Sequence, residues 1–181
     1  FQDWASLNDR TRTSIEATFD GSADVLLHHP LRTLFCNQTN IVPELAHEGA
    51  VIVIDMPVKV YNEVGVAAQC LWKYLFQRST ERRDVTKHPS PVFLWSDESQ
   101  LLVTEKDAEF QTTARSSRVA TVFLTQNINN YYTFISGTGE ASKAVTDSLL
   151  ANLATKIFHA NGDAKTNEWA SETIAKSWVM K

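Results

Sequence analysis

Two adjacent carboxylates close an apolar run in Val92-Phe93-Leu94-Trp95-Ser96-Asp97-Glu98. Four apolar residues leading to paired acids have the form of a Walker B strand. At such a strand end Asp97 can hold Mg²⁺ through a water, and Glu98 can orient or deprotonate an attacking water. Hydrolysis of a phosphoanhydride needs hard oxygen ligands and a base in that arrangement. The same pair also suits the first turn of a helix, where acids complement the dipole. A second polar group ends the next apolar run, Val119-Ala120-Thr121-Val122-Phe123-Leu124-Thr125-Gln126. The Gln126 carboxamide can donate to a γ-phosphate or to the attacking water without adding charge; a solvated loop start is the plainer reading. Between the runs lies Ala114-Arg115-Ser116-Ser117-Arg118. Arg115 could stabilise transferred charge on a neighbouring subunit, or simply sit as a cation at a helix C-terminus.

These groups act together only if a sheet brings the strand ends to one place. The pattern predicts strands at Ala50–Asp55, Val92–Trp95, Val119–Leu124 and Thr155–His159, built from apolar runs buried on both faces. Helices are expected from Phe1 to about Thr18 (ended by Asp20-Gly21-Ser22, with Asp9 a possible cap), from Gly65 to about Arg83, through Phe110 and Ala114, over Ser142 to about Asn152, and from Glu168 to Val179. One helical turn at Leu31–Phe35 and another start at Pro43 interrupt a connecting stretch; Lys87–Pro91 and Asn127–Gly139 read as loops. Strands alternating with helices imply right-handed crossovers: an α/β fold, a mainly parallel sheet with helices on both faces. Ligands then sit at the carboxyl ends of the strands.

The 181 residues (20.3 kDa) are 43% hydrophobic, enough to bury a core, and divide into a helical or irregular segment, 1–48, and an α/β segment, 49–181. A net charge of −4 and a pI near 5.7 argue against a free-standing basic nucleic-acid clamp. Cys36 and Cys70 form neither a disulfide framework nor a CxxC site, so reduced thiols in an intracellular setting are expected. No apolar run of membrane-spanning length and no signal peptide is expected. With six glycines, the chain nowhere carries G-x-x-x-x-G-K-[ST]. The nearest imitation, Gly137-Thr138-Gly139-Glu140-Ala141-Ser142-Lys143-Ala144, has Ser142 for the second glycine, Ala144 for the Mg²⁺ hydroxyl, and follows the glutamine strand instead of preceding the acid pair.

Taken in order, Pro91 to Gln100, Phe110 to Arg118, Val122 to Gln126 and Leu149 to Ile157 resemble the TraD/TraG type of conjugative coupling ATPase. Val51–Pro57 and Leu71–Gln77 are similar to that family's preceding strand and helix, so the likeness covers roughly residues 45 to 176. The resemblance implies the C-terminal part of a RecA-like P-loop motor domain lacking its Walker A segment. The parent protein would be a ring-forming homo-oligomer at the cytoplasmic face of the bacterial inner membrane. It would use ATP and Mg²⁺ to drive DNA and attached protein through a type IV secretion channel. The resemblance places Asp97 and Glu98 in the Walker B roles, Gln126 in phosphate sensing and Arg115 as a candidate finger. The C-terminal portion also resembles the region recognised by TraM, a DNA-bound relaxosome protein. Family members carry the phosphate loop and transmembrane helices upstream, and neither lies in this chain. The isolated chain is therefore expected to be inactive alone, and a non-catalytic interaction module binding a TraM-like relaxosome or secretion partner is the alternative. A Mg²⁺ nuclease using Asp97 and Glu98 would have only Asp55 as a further acid at a neighbouring strand end.

The remaining polar residues suggest less. His28, His29, His47, His88 and His159 show no zinc spacing, and no serine lies in a G-x-S-x-G elbow. Tyr131-Tyr132 could stack on bases and Arg78, Arg82, Arg83 and Lys87 could touch phosphates, though a solvated loop and a solvated helix face explain them as well.

Overall fold

The computed structural model describes residues 4–135 and 140–174. The described residues mix helices with a small sheet: seven helices, α1 (Asp9–Leu27), α2 (Leu31–Phe35), α3 (Val58–Arg82), α4 (Glu105–Thr113), α5 (Ile128–Phe134), α6 (Glu140–Asn152) and α7 (Ala164–Ile174), and two strands, β1 (Val92–Ser96) and β2 (Val119–Phe123). They form two compact units. One takes the residues up to Val42 together with Val53–Leu71, the other Pro43–Ile52 with the residues from Trp72 onward. The expected boundary at residues 48 and 49 does not coincide with this division, and α3 contributes its first half to one unit and its second half to the other.

In the first unit Leu31, Met56 and Ala68 are buried, with Leu26, Phe35, Tyr61, Val64 and Ala67 packed against them. The Asn8 side chain accepts the Thr11 N–H at 2.8 Å, so Asn8, not Asp9, caps α1. The helix then continues through Asp20-Gly21-Ser22 instead of ending there. A glycine inside a helix costs about 1 kcal/mol relative to alanine, and the packing of Leu26 against the buried cluster offsets it. Residues 50–57 form no strand. Val51 is 90% exposed, and what this stretch buries is Met56, whose carbonyl accepts Gln69 Nε2 at 2.9 Å. α3 begins earlier than its apolar stripe suggests and is broken at Asn62, which has φ 48° and ψ −134°. Gly65 is required there: a Cβ would lie 2.9 Å from Tyr61 Cβ and 3.2 Å from the Met56 carbonyl oxygen.

In the second unit β1 and β2 are parallel, with Val92 opposite Val119 and Ser96 opposite Phe123. α4 is the crossover between them, as a parallel pair demands. It starts with a capping box, in which Thr104 and Asp107 satisfy each other's backbone N–H groups. The core joins Val103 and Ala108 to Ile128, Tyr131 and Ile135 of α5 and its C-cap, and to Leu149 and Leu150 of α6; Phe123 and Trp169 pack on it. The loop expected at 127–139 thus contains α5. Asn127 caps it by accepting the Asn130 N–H at 3.0 Å, and apolar positions 128, 131 and 135 recur at helical spacing.

The expected strand at 155–159 does not form either. Phe158 instead meets Trp169 of α7 edge-on, ring centroids 5.6 Å apart, Lys156 lies over the same ring, and Ile157 is 79% exposed. A sheet on the scale expected is therefore reduced to two strands among the described residues. β1 buries Val92 and Ser96 on one face and exposes Phe93 (58%) and Trp95 (66%) on the other, so among the described residues the expected cover of helices on both faces is absent there. α7 starts four residues before the expected Glu168. The glycines of the phosphate-loop imitation lie outside the described residues; Lys143 and Ala144 are exposed on α6. No described helix is long and apolar enough to cross a membrane.

Candidate functional site

The site is built where β1 and β2 end together. The Leu124 N–H donates to the Ser96 carbonyl at 3.0 Å, and the Ser99 N–H and Oγ both donate to the Leu124 carbonyl, at 3.0 and 2.9 Å. Ser99 Oγ also lies 2.6 Å from the Tyr131 hydroxyl. Burial pushes the Tyr131 pKa up against the opposing effect of that bond. These contacts fold the chain sharply after β1, and Asp97 and Glu98 occupy the turn. Glu98 takes the left-handed conformation, φ 44° and ψ 42°, which costs a non-glycine residue ~1–2 kcal/mol. Asp97 is exposed and its Oδ1 accepts the Glu98 N–H at 2.9 Å.

Glu98 and Gln126 meet at the ends of the two strands. Gln126 Nε2 donates to Glu98 Oε1 at 2.7 Å. A residue not singled out in the sequence, Gln100, donates its Nε2 to Glu98 Oε2 at 2.5 Å. Neutral amide donors thus reach both carboxylate oxygens.

Arg115 is not brought there. Its turn precedes β2, while the acid pair follows β1; in a parallel pair these are opposite ends of the sheet, separated by the roughly 13–16 Å length of a five-residue strand. Arg115 is exposed, so any role at such a site would be on another copy.

A second region missed by sequence reasoning supports Gln126 from behind. Asn161 Nδ2 donates to the Gln126 carbonyl at 2.7 Å, and Asn161 Oδ1 accepts the Asp163 N–H at 2.6 Å. Asp163 caps α7: its carboxylate accepts Thr166 Oγ1 at 2.7 Å and the Thr166 N–H at 2.9 Å, and Asn129 Nδ2 on both oxygens. The Thr166 hydroxyl, then its N–H, hold the Asp163 carboxyl below the ordinary value. Asn161-Gly162-Asp163, a turn followed by a capping acid, is the signal that marks this support.

Behind the turn is a buried ion pair. Lys73 of α3 donates to Asp107 and to the Leu102 carbonyl, and Gln77 Nε2 donates to Asp107 Oδ1 at 2.7 Å. Lys73 and Asp107 are both buried. The pair ties α3 to the start of α4 and so fixes the segment that leaves Glu98.

Mg²⁺ is commonly held by one or two carboxylates, its own waters and substrate phosphates, not by an all-protein cage. Among the described residues no three His, Cys, Asp or Glu side chains cluster to form a cage. The exposed Asp97 carboxylate fits the single-carboxylate, water-mediated mode.

The other polar groups noted in the sequence are placed differently. Tyr131 is core, not a stacking surface, and Tyr132 donates to Asp147 Oδ1 at 2.5 Å, its pKa pushed up to about 12 by burial and by that carboxylate. Arg78 pairs with Glu81, and Lys87 lies 3.8 Å from Asp84. Arg83 donates to the carbonyls of Ser90, Ser117 and Arg118. Cys36 and Cys70 form no disulfide. Comparison with family models, with curated proteins and with solved structures finds no match to this chain.

Proposed function

We propose that the chain is the C-terminal part of a RecA-like motor domain of a TraD/TraG-type coupling protein, an ATPase that drives DNA and protein transfer in conjugation through a type IV secretion channel. The observation that carries the reading is the 2.7 Å hydrogen bond from Gln126 to Glu98 across the carboxyl ends of two parallel strands. A carboxylate and a neutral amide side by side at the strand ends support the reading, since a general base and a phosphate-directed donor need to share one water. In this reading Glu98 orients and deprotonates the water and Gln126 donates to the γ-phosphate. Asp97 would hold Mg²⁺ through a water. Bound Mg²⁺ would supply charge neutralisation at the phosphates. Arg115 belongs to the next copy's site in a homo-oligomeric ring. Attachment at the cytoplasmic face of the bacterial inner membrane and recognition of a TraM-type relaxosome protein come with the same reading.

A second reading is a non-catalytic module that binds such a relaxosome or secretion partner. It is favoured by the bare apolar face of β1, where Phe93 and Trp95 are exposed.

ATP hydrolysis separates the two. The 181-residue chain alone should turn over negligibly, and a longer chain supplying a phosphate loop ahead of it should hydrolyse ATP in a DNA-stimulated manner. There Glu98→Gln should lower kcat by about 10²–10⁴-fold, the loss expected on removing a general base. Full activity of that variant overturns the assignment; no turnover in any longer chain favours the binding module.

A further inference from the structure

The two amides that hold Glu98 are not equivalent. Gln126 is exposed, on a segment after β2. Gln100 is only 4% exposed, and its Oε1 is buried without a hydrogen-bond partner. Leaving a carbonyl unsatisfied costs ~1–3 kcal/mol. Turning the amide over would aim that oxygen at the Glu98 carboxylate, so the orientation is dictated by Glu98 and not by packing. Gln100 sits in the single helical turn Ser99–Leu101, which Ser99 fastens to Leu124 and Tyr131. It is a buried arm; Gln126 is an exposed one.

We propose that Gln100 is the positioning residue for Glu98: its buried carboxamide holds one carboxylate oxygen so that Gln126 can transfer its hydrogen bond to an incoming phosphate without Glu98 losing its place. This rests on the hydrolytic reading of Glu98. The left-handed backbone at Glu98 adds to the need, because a strained turn keeps its side chain in one orientation only when neighbours over-determine it. Gln100 reaches the carboxylate from the buried side of that turn.

The test reads side-chain order in the 181-residue chain. Three-bond couplings should show one Glu98 rotamer in the parent and in Gln126→Ala, and rotamer averaging in Gln100→Met, which keeps the volume and removes the donor. Should Gln100→Met fail to fold, the parent chain decides: the Gln100 side-chain amide signals should follow the protonation of Glu98 in an acid titration, and Glu98→Gln should abolish the response. A single Glu98 rotamer in folded Gln100→Met, or amide signals blind to the titration, overturns the proposal. In a longer, hydrolysing chain Gln100→Met should lower kcat about tenfold with KM for ATP unchanged, the signature of a misplaced base and not of weakened binding. Loss of Glu98 order without hydrolysis in any chain leaves the positioning role standing and removes the ATPase reading.

Discussion

The two ends of the β1–β2 pair each hold a non-glycine residue in the left-handed region, Glu98 with φ 44° after β1 and Arg118 with φ 52° before β2. They are restrained by opposite means. At the carboxyl end a carboxylate is held by two neutral amides, one of them exposed. At the amino end the guanidinium of Arg118 donates to the Pro89 carbonyl at 2.6 Å, and Arg83 donates to the carbonyls of Ser90, Ser117 and Arg118. Both arginines donate to backbone carbonyls, groups that do not move without unfolding the turn. The first end is fastened by side chains that can exchange partners; the second is fastened to the main chain. α3 serves both. Lys73 reaches the carboxyl end and Arg83, just past the last turn of α3, the amino end; the nine residues of helix from Lys73 to Arg82 rise ~14 Å, matching the ~13–16 Å length of the strands.

The comparison can be broken first at the ion pair behind the carboxyl end. Asp107→Ala leaves Lys73 buried without its partner and should cost about 3–5 kcal/mol of stability in denaturant unfolding. Lys73→Met combined with Asp107→Leu should recover much of that loss, since the charge left unpaired, not the lost pair, carries the penalty. At the amino end Arg83→Met removes charged donors from three carbonyls and should cost about 1.5–2 kcal/mol, the low end for such bonds because the guanidinium is partly exposed. A loss as large as that of Asp107→Ala would show that the amino end, not the buried pair, is the stronger fastening.

The smallest effect sharpens the electrostatics of the amino end. His47 lies 3.4 Å from both Ser79 Oγ and Thr80 Oγ1, its ring centroid 6.4 Å from that of His88. Burial, and then the Arg83 charge, lower its pKa below 6.5, with His88 adding; Glu44 and Glu48 oppose. The folded state therefore holds His47 neutral where the unfolded chain would accept a proton. The associated stability is complete above pH 6.5 and is lost as pH falls through 6.5 towards the lower folded value. An imidazole titration followed by NMR should place the His47 midpoint below that of an exposed histidine, and Arg83→Met should raise it; an unmoved midpoint removes Arg83 as a cause.

Much of the carboxyl-end site was readable because its parts are local. Four apolar residues followed by acids mark the end of β1, and the next apolar run marks the end of β2; once both strands form in parallel, Glu98 and Gln126 must lie side by side. Gln100 was not readable, since a glutamine two residues after a glutamate has no special spacing until the turn at Glu98 points it back. Nor was α5, where asparagines and tyrosines weaken the helical signal that Asn127 and the core contacts restore. The strands expected at 50–55 and 155–159 failed for a different reason. Apolar runs state that a segment seeks burial, not what buries it: Met56 found the first unit's core, and Phe158 found Trp169.

By itself the sequence determined which residues could do chemistry and in what order they follow the strands, because side-chain type and chain direction are local properties. The tertiary structure alone decided that Glu98 is shared between two amides, that Arg115 stands at the far end of the sheet, and that Lys73 and Asp107 are paired out of water. Those outcomes depend on contacts between residues about 30 positions apart, whose geometry follows from packing and the parallel register and from nothing in the local sequence.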